Sequence, residues 1–401
     1  MRLAGLLRSR GTLADLLSPR SDSFGFLRLA LAVTVVVSHV YPLAYGRLDP
    51  LWQRSGQQTD LGKLAVLGFF VLSGYLITGS ARRTRPGRYV WHRALRILPG
   101  LCGSLLVSTL VLMPLVRWHQ HGSLAGFWTG TWGPFQYLGS AWDSPMRGGW
   151  DVSGVIAEGI RRGTNFDGSV NGALWSLKYE LLCYLLAGLA ALAGVLGRGR
   201  RLVPLTAAAL LALVTTDWFD APGPRGMPGD LTTHLDLPLA GELSLHYLVH
   251  LGLVFLLGAT LRLYRERVPV HDGLAVLAAV TLLATLRWGA LPVLGYPALA
   301  YLLLWLAVRL PRPCRAVGRD RDLSYGIYIY GFTVEQVLAA YGLARLGPAG
   351  FLAAALAATT ALAAFSWYAV EAPALRLKDR LPPAVLRRQA RRPDPGRAAG
   401  T

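Results

Sequence analysis

The stretch Phe24–Ala44, FGFLRLALAVTVVVSHVYPLA, is apolar over a length that can cross a bilayer as a helix, and only Arg28 and His39 break it. Eleven residues on, a helix has made three turns with about 20° left over. Both side chains therefore share one face, ~16 Å apart along the axis. A guanidinium and an imidazole are costly in hydrocarbon unless the rest of the fold supplies partners or water. That face offers an anion anchor near one end and a base near the other.

The rest of the chain repeats the apolar theme. It is 53% hydrophobic with mean hydropathy +0.39, and its charged fraction of 16% falls well below the roughly one quarter usual in soluble domains. Ten spans are read, at roughly 24–44, 61–80, 98–116, 174–196, 202–219, 243–261, 270–286, 291–308, 323–341 and 350–370. The predicted fold is an all-α polytopic membrane protein, a bundle of about ten transmembrane helices. Residues 1–23 form a basic lead-in with a short interfacial helix, 24–373 the membrane domain, and 374–401 a basic, disordered tail. No cleavable signal peptide is expected, the first span serving as an uncleaved anchor.

A net charge of +19 could suggest nucleic acid. Its distribution argues against that: 29 of the 41 Lys and Arg residues fall in one alternating set of segments and ten in the other. This bias predicts that both termini are cytoplasmic and that the charge meets anionic lipid, with no nucleic-acid partner. The three cysteines, Cys102, Cys183 and Cys314, have no spacing of a disulfide framework or metal site.

Several segments carry polar groups that a bare bundle does not need. Gly68, Ser73, Gly74 and Gly79 in the second span permit close helix packing. Arg93 and Arg96, three apart in the basic segment Ala81–Gly100, share a helix face. They read as positive-inside anchoring or as a phosphate clamp. The long segment 117–172 is expected outside. It holds Trp118, Trp128, Trp132, Trp142 and Trp150 with Asp143, Asp151, Glu158 and Asp167, read as an aromatic belt or as a sugar-binding surface. In the fourth span Lys178 and Glu180 lie on different faces. Glu180 is counted to the same depth as His39, so the two make a candidate pair, structural or catalytic. Glu242, His246 and His250 fall on one helical face, read as solvated or pore-lining residues rather than a metal site. The ninth span brings Tyr325, Tyr328, Tyr330 and Glu335, and Glu335 must face the bundle.

Taken in order, these residues resemble the acyltransferase-3 family, bacterial integral-membrane enzymes that O-acylate sugars and some antibiotics. The resemblance rests on Arg28 and His39 with ten residues between them, and on the phrase Phe69–Ile77. It rests further on Arg93, Arg96, Ile97 and Pro99, and on Leu174, Trp175, Ser176, Leu177 and Glu180. Ser324–Ile329 and Tyr368, Glu371 and Pro373 complete it. Two departures stand out. Leu181 and Leu182 follow Glu180 where many members have a polar pair, and Tyr330–Gly331 stand where many have a His. The wording of the motifs is closer to the branch that modifies exopolysaccharide or cell-wall sugars.

The resemblance implies an enzyme of the bacterial cytoplasmic membrane that takes an acyl group, acetyl most often, from cytoplasmic acyl-CoA. Its acceptor would be a hydroxyl of an extracytoplasmic carbohydrate or glycosylated metabolite. It places the donor phosphates on Arg28, Arg93 and Arg96 and makes His39 the general base, with Glu180 orienting it. Ser73, Tyr75 and Lys178 are candidate oxyanion donors, and Trp175, Ser176, Tyr325 and Tyr328 further substrate contacts; no metal is expected. Direct transfer and an acyl-His intermediate are both open. Two other classes fit ten spans with buried charges. One is a lipid-linked sugar flippase, which would move substrate without consuming acyl-CoA; the other is a scaffold that works through its basic tail.

Overall fold

The computed structural model describes residues 11–17, 22–130, 133–140, 152–153, 155, 169–220, 234–237 and 241–380. Ten principal helices follow in order: α1 Phe24–Tyr45, α2 Leu61–Arg83, α3 Pro86–His121, α4 Gly172–Leu192 and α5 Leu202–Asp220. Then come α6 Leu245–Leu263, α7 Asp272–Trp288, α8 Leu291–Arg309, α9 Ser324–Ala340 and α10 Leu343–Asp379. Among the described residues eight helices are long and apolar enough to cross a membrane. The protein is an all-α polytopic membrane protein. The remaining two, α7 and α9, have 17 residues each, about 25 Å of helix.

Helix α9 is the axis of the bundle. Every residue from Gly326 to Gln336 is buried, the mark of a helix covered on all sides. Helices α1 and α10 pack along it, and α2 joins α1 to α6. The α2–α6 crossing is very close because it is built on glycine. A Cβ on Gly74 would lie 2.0 Å from the Phe255 carbonyl oxygen, and one on Gly258 would lie 2.1 Å from the Val71 oxygen. Small residues at such a crossing let the backbones touch, and dispersion then replaces the hydrophobic effect that lipid cannot supply. We expect Gly74→Leu to lower the melting temperature of the purified protein, with a cost of about 1–3 kcal/mol or more. An unchanged melting curve would contradict this crossing.

Three features depart from the sequence reading. The basic segment Ala81–Gly100 is no connection: after a break at Thr84 it is the first half of α3. At 36 residues, α3 is about 54 Å long, more than the ~30 Å hydrocarbon core requires. Its arginines hid it from a hydropathy reading. Residues 11–17 do not form a free interfacial helix. Thr12 caps the single turn Leu13–Leu16, and Leu13 and Ala14 donate backbone hydrogen bonds to Val268 and Arg265 at 3.0 and 3.1 Å. A short antiparallel hairpin, β1 His234–Leu237 with β2 Gly241–Ser244, precedes α6, so Glu242 lies on a strand and not on the helix of His246 and His250. Of the 117–172 segment, residues 131–132, 141–151, 154 and 156–168 lie outside the described residues, among them Trp132, Trp142, Trp150 and its four acidic residues, as does the chain from 381 onward. Trp118 belongs to α3.

Candidate functional site

A cavity of about 110 Å³ opens between α1, α2, α3, α4 and α9. Its polar wall is built from single residues of each helix. Arg28 comes from α1 and Ser73 from α2. The i, i+3 pair Arg93 and Arg96 comes from α3, Ser176, Glu180 and Tyr184 from α4, and Tyr325 and Tyr328 from α9. The three arginines therefore converge on one cavity, as the family resemblance implied. Asp322, just before α9, ties two of them together: Arg96 reaches it at 2.5 Å and Arg28 at 3.1 Å. Burial alone would raise the Asp322 carboxyl. The Arg96 and Arg28 guanidiniums and two hydrogen bonds from Ser324 outweigh burial and hold it below the usual carboxylate range. Glu371 stands 3.8 Å from the other side of Arg96. Arg93 has no carboxylate partner among the described residues and lies over the Tyr184 ring at 6.0 Å.

Glu180 is the fourth charged residue of this wall, and its place corrects the sequence reading. It accepts hydrogen bonds from Ser73 at 2.9 Å and Tyr184 at 2.6 Å, inside the arginine-lined cavity. It is not the partner of His39. Among the described residues the carboxylate within 4 Å of His39 is that of Glu335, fully buried on α9, at 3.7 Å from Nδ1. The reason lies at the start of α4. The chain at Asn171 already runs beside α9, where Asn171 Nδ2 donates to the Ile329 carbonyl at 2.6 Å. Thr333 and Gln336 donate to the Val170 carbonyl. Gly172–Ser176 is then a 3₁₀ turn, which rises about 2.0 Å per residue rather than 1.5 Å. Glu180 is thereby carried deeper, toward mid-α2, while His39 stays beside the first turns of α2, where Gly62 packs on the neighbouring Ser38.

His39 does not line the cavity. Its ring meets Phe332 edge-on, with centroids 5.0 Å apart, and Phe332 is one turn along α9 from the cavity residue Tyr328. Of the candidate oxyanion donors and substrate contacts, those that line this cavity have their hydroxyls already engaged. Ser73 donates to Glu180, Tyr325 to the Ile97 carbonyl at 2.8 Å, and Tyr328 to the Ala173 carbonyl at 2.7 Å while also bonded to Ser176. Three other candidates lie elsewhere. Tyr75 is buried against Phe24 with the Arg262 guanidinium over its ring. Lys178 sits over Tyr179. Trp175 packs on Tyr247 and lines a separate, smaller cavity with His246 and His250. His250 there bonds Tyr296 at 2.9 Å. Among the described residues no three His, Cys, Asp or Glu form a metal-binding group.

Asp322, Glu335 and Tyr184 are site residues the sequence reading left without a role. Glu335 carried a signal, since a carboxylate within an apolar span requires a partner. Asp322 carried none: it follows a run of arginines in a loop, and its partners lie 226 and 294 positions away.

Residues 22–368 match a family model described as an acyltransferase domain. The chain is 28% identical over 326 residues to an "O-acetyl transferase" of Shigella phage Sf6, covering 80% of this chain and 86% of that one. It is 29% identical over 389 residues to "Nodulation protein 10" of Rhizobium leguminosarum bv. viciae, covering 91% of this chain and 96% of that one. No solved structure matches the chain.

Proposed function

The chain belongs to the acyltransferase-3 family and is a membrane-embedded O-acyltransferase; from that premise we propose that it moves an acetyl group from acyl-CoA to a carbohydrate hydroxyl across a bacterial cytoplasmic membrane. The arginine-lined cavity would receive the donor from the cytoplasm, and the His39–Glu335 pair would work at the far end of α1. One observation carries this reading. A single helix presents a guanidinium to the cavity and, eleven residues on, an imidazole to a fully buried carboxylate.

The chemistry assigned to the pair is general base catalysis. With Nδ1 turned toward Glu335, Nε2 would take the proton of the acceptor hydroxyl. The oxygen then attacks the thioester carbonyl, the carbon–sulfur bond breaks, and the leaving thiolate recovers the proton from the imidazolium. The 3.7 Å separation exceeds a hydrogen bond, and such contacts commonly tighten only when substrate is bound. Glu335 suits the orienting role first given to Glu180, because it holds the tautomer and balances the imidazolium. Glu180 fits a place in the donor cavity, with Ser73 and Tyr184 fixing it.

Acetyl as the group moved and an oxygen as its acceptor are supported by the name of the phage relative, an O-acetyl transferase; that the oxygen belongs to a sugar rests on the wording of the sequence motifs. Envelope glycans and secreted metabolites from cells with and without the protein should differ by 42 Da, the mass an acetyl group adds, on one species. Parallel membrane assays should consume acetyl-CoA in step with that product. Substrate movement without loss of acetyl-CoA would instead favour a flippase.

A further inference from the structure

A second basic cavity, of about 280 Å³, lies where the C-terminal ends of α2 and α6 meet the turn between α4 and α5. Five arginines line it: Arg82, Arg83, Arg200, Arg262 and Arg265. Glu266 is the one acidic residue on its wall, and among the described residues no ion pair joins it, or any other carboxylate, to any of the five. Such convergence is more than an orientation signal requires. Positive-inside charge can be spread over the surface, whereas these guanidiniums repel one another across a single hollow.

Two of the five are held in place by groups that leave their charge unbalanced. Arg262 lies over the Tyr75 ring at 5.1 Å and against Gly79, where a Cβ would stand 2.6 Å from its Nε. Arg200 lies over the Tyr264 ring at 5.2 Å. Backbone bonds from the Leu13–Leu16 turn to Arg265 and Val268 fix the chain that carries Arg265. The donor cavity contrasts with this one. There Arg28 and Arg96 are paired with Asp322, Arg96 also faces Glu371, and Glu180 stands on the same wall. The two cavities are neighbours along α2, one lined by Leu76 and Ile77 and the other by Gly79, Arg82 and Arg83.

We propose that the five-arginine cavity is a phosphate site, taking the oxygens of a phosphate mono- or diester in guanidinium forks. Two ligands carry that chemistry. One is the nucleotide end of the acyl-CoA donor, a choice that rests on the function proposed above; the other is the headgroup of an anionic phospholipid. In the first case the reactive end of the donor lies in the balanced cavity and its phosphates in the unbalanced one.

The test uses the full-length protein in nanodiscs, with Arg83→Gln and Arg265→Gln as separate variants and Arg287→Gln as a control at the other end of the bundle. Monodisperse elution and an unshifted melting curve qualify each variant, and Lys replacements stand in where Gln does not fold. Coenzyme A binding is titrated in phosphatidylcholine discs. Native mass spectrometry then scores retained lipid after reconstitution with phosphatidylglycerol. If the nucleotide end binds here, each Gln variant weakens coenzyme A at least tenfold while the control does not. If a lipid headgroup binds here, the variants lose retained phosphatidylglycerol and coenzyme A affinity is unchanged. Coenzyme A affinity and lipid retention both unaltered by the variants would overturn the proposal and leave the donor reading intact. A wild-type protein that retains phosphatidylglycerol but binds no coenzyme A would remove the donor reading and leave the phosphate site standing.

Discussion

His39→Ala is expected to abolish acyl transfer while leaving the protein folded in the membrane. A positioned general base contributes roughly 10²–10⁴-fold to rate, so product formation should fall by at least about two orders of magnitude. Stability should fall as well, because the ring is nearly buried, with 12% of its side chain exposed, and its loss leaves a void beside a fully buried Glu335, so transfer is compared in preparations matched for inserted, monodisperse protein. Glu335→Gln gives the sharper comparison. A carboxamide keeps the volume of the fully buried side chain but can neither balance an imidazolium nor fix the tautomer as a carboxylate does. The variant should lose rate with a shifted pH profile, while acyl-CoA binding stays near wild type because the donor cavity does not include Glu335. Glu180→Gln should do the reverse and act chiefly on donor binding. Label transfer from acetyl-CoA in membranes reads the first effect and equilibrium binding the second. Undiminished transfer by His39→Ala would remove the mechanism altogether.

The contrast between Glu335 and Glu180 also shows where a sequence is legible. Spans are easy to read because lipid forces each backbone segment to satisfy its own hydrogen bonds, so apolar length and helix coincide. That Arg93 and Arg96 share a face was legible from their spacing, whereas the arrival of Arg28 beside them was expected only from the family resemblance. Depth was harder. Counting from the outer end of a span assumes a uniform 1.5 Å rise and a known starting level. The fourth helix breaks both assumptions, with chain already beside α9 at Asn171 and a 3₁₀ turn at Gly172–Ser176. The error moved Glu180 to the wrong partner. The start of α3 was missed for the opposite reason, since Arg85, Arg88, Arg93 and Arg96 depress hydropathy in a stretch that is nonetheless helical. Pairings such as Arg96 with Asp322 depend on which loops the bundle brings together, and no local spacing encodes that.

Asp322→Asn is the stability prediction that follows from that pairing. The carboxylate has only 11% of its side chain exposed and faces both Arg28 and Arg96. Removing its charge leaves two guanidiniums side by side without their common counter-ion. Breaking a buried pair costs about 3–5 kcal/mol, and the partial exposure of Arg28, at 30% of its side chain, favours the lower end. By comparison Asp379→Asn, at an exposed pair with Arg88, should cost at most about 1 kcal/mol. The pH dependence has a definite sign. Because the folded Asp322 carboxyl lies below the ordinary 3.8, its stabilisation is fully present above that value. It drains away as pH falls through the lower, folded-state value, where the unfolded chain has already taken up its proton. Wild type and Asp322→Asn should therefore differ by a constant margin in melting temperature between pH 6 and 9 and converge as the pH is taken below 3.8. Equal melting temperatures at neutral pH would mean that the two arginines do not depend on Asp322, and the donor cavity would have to be rebuilt around another anion.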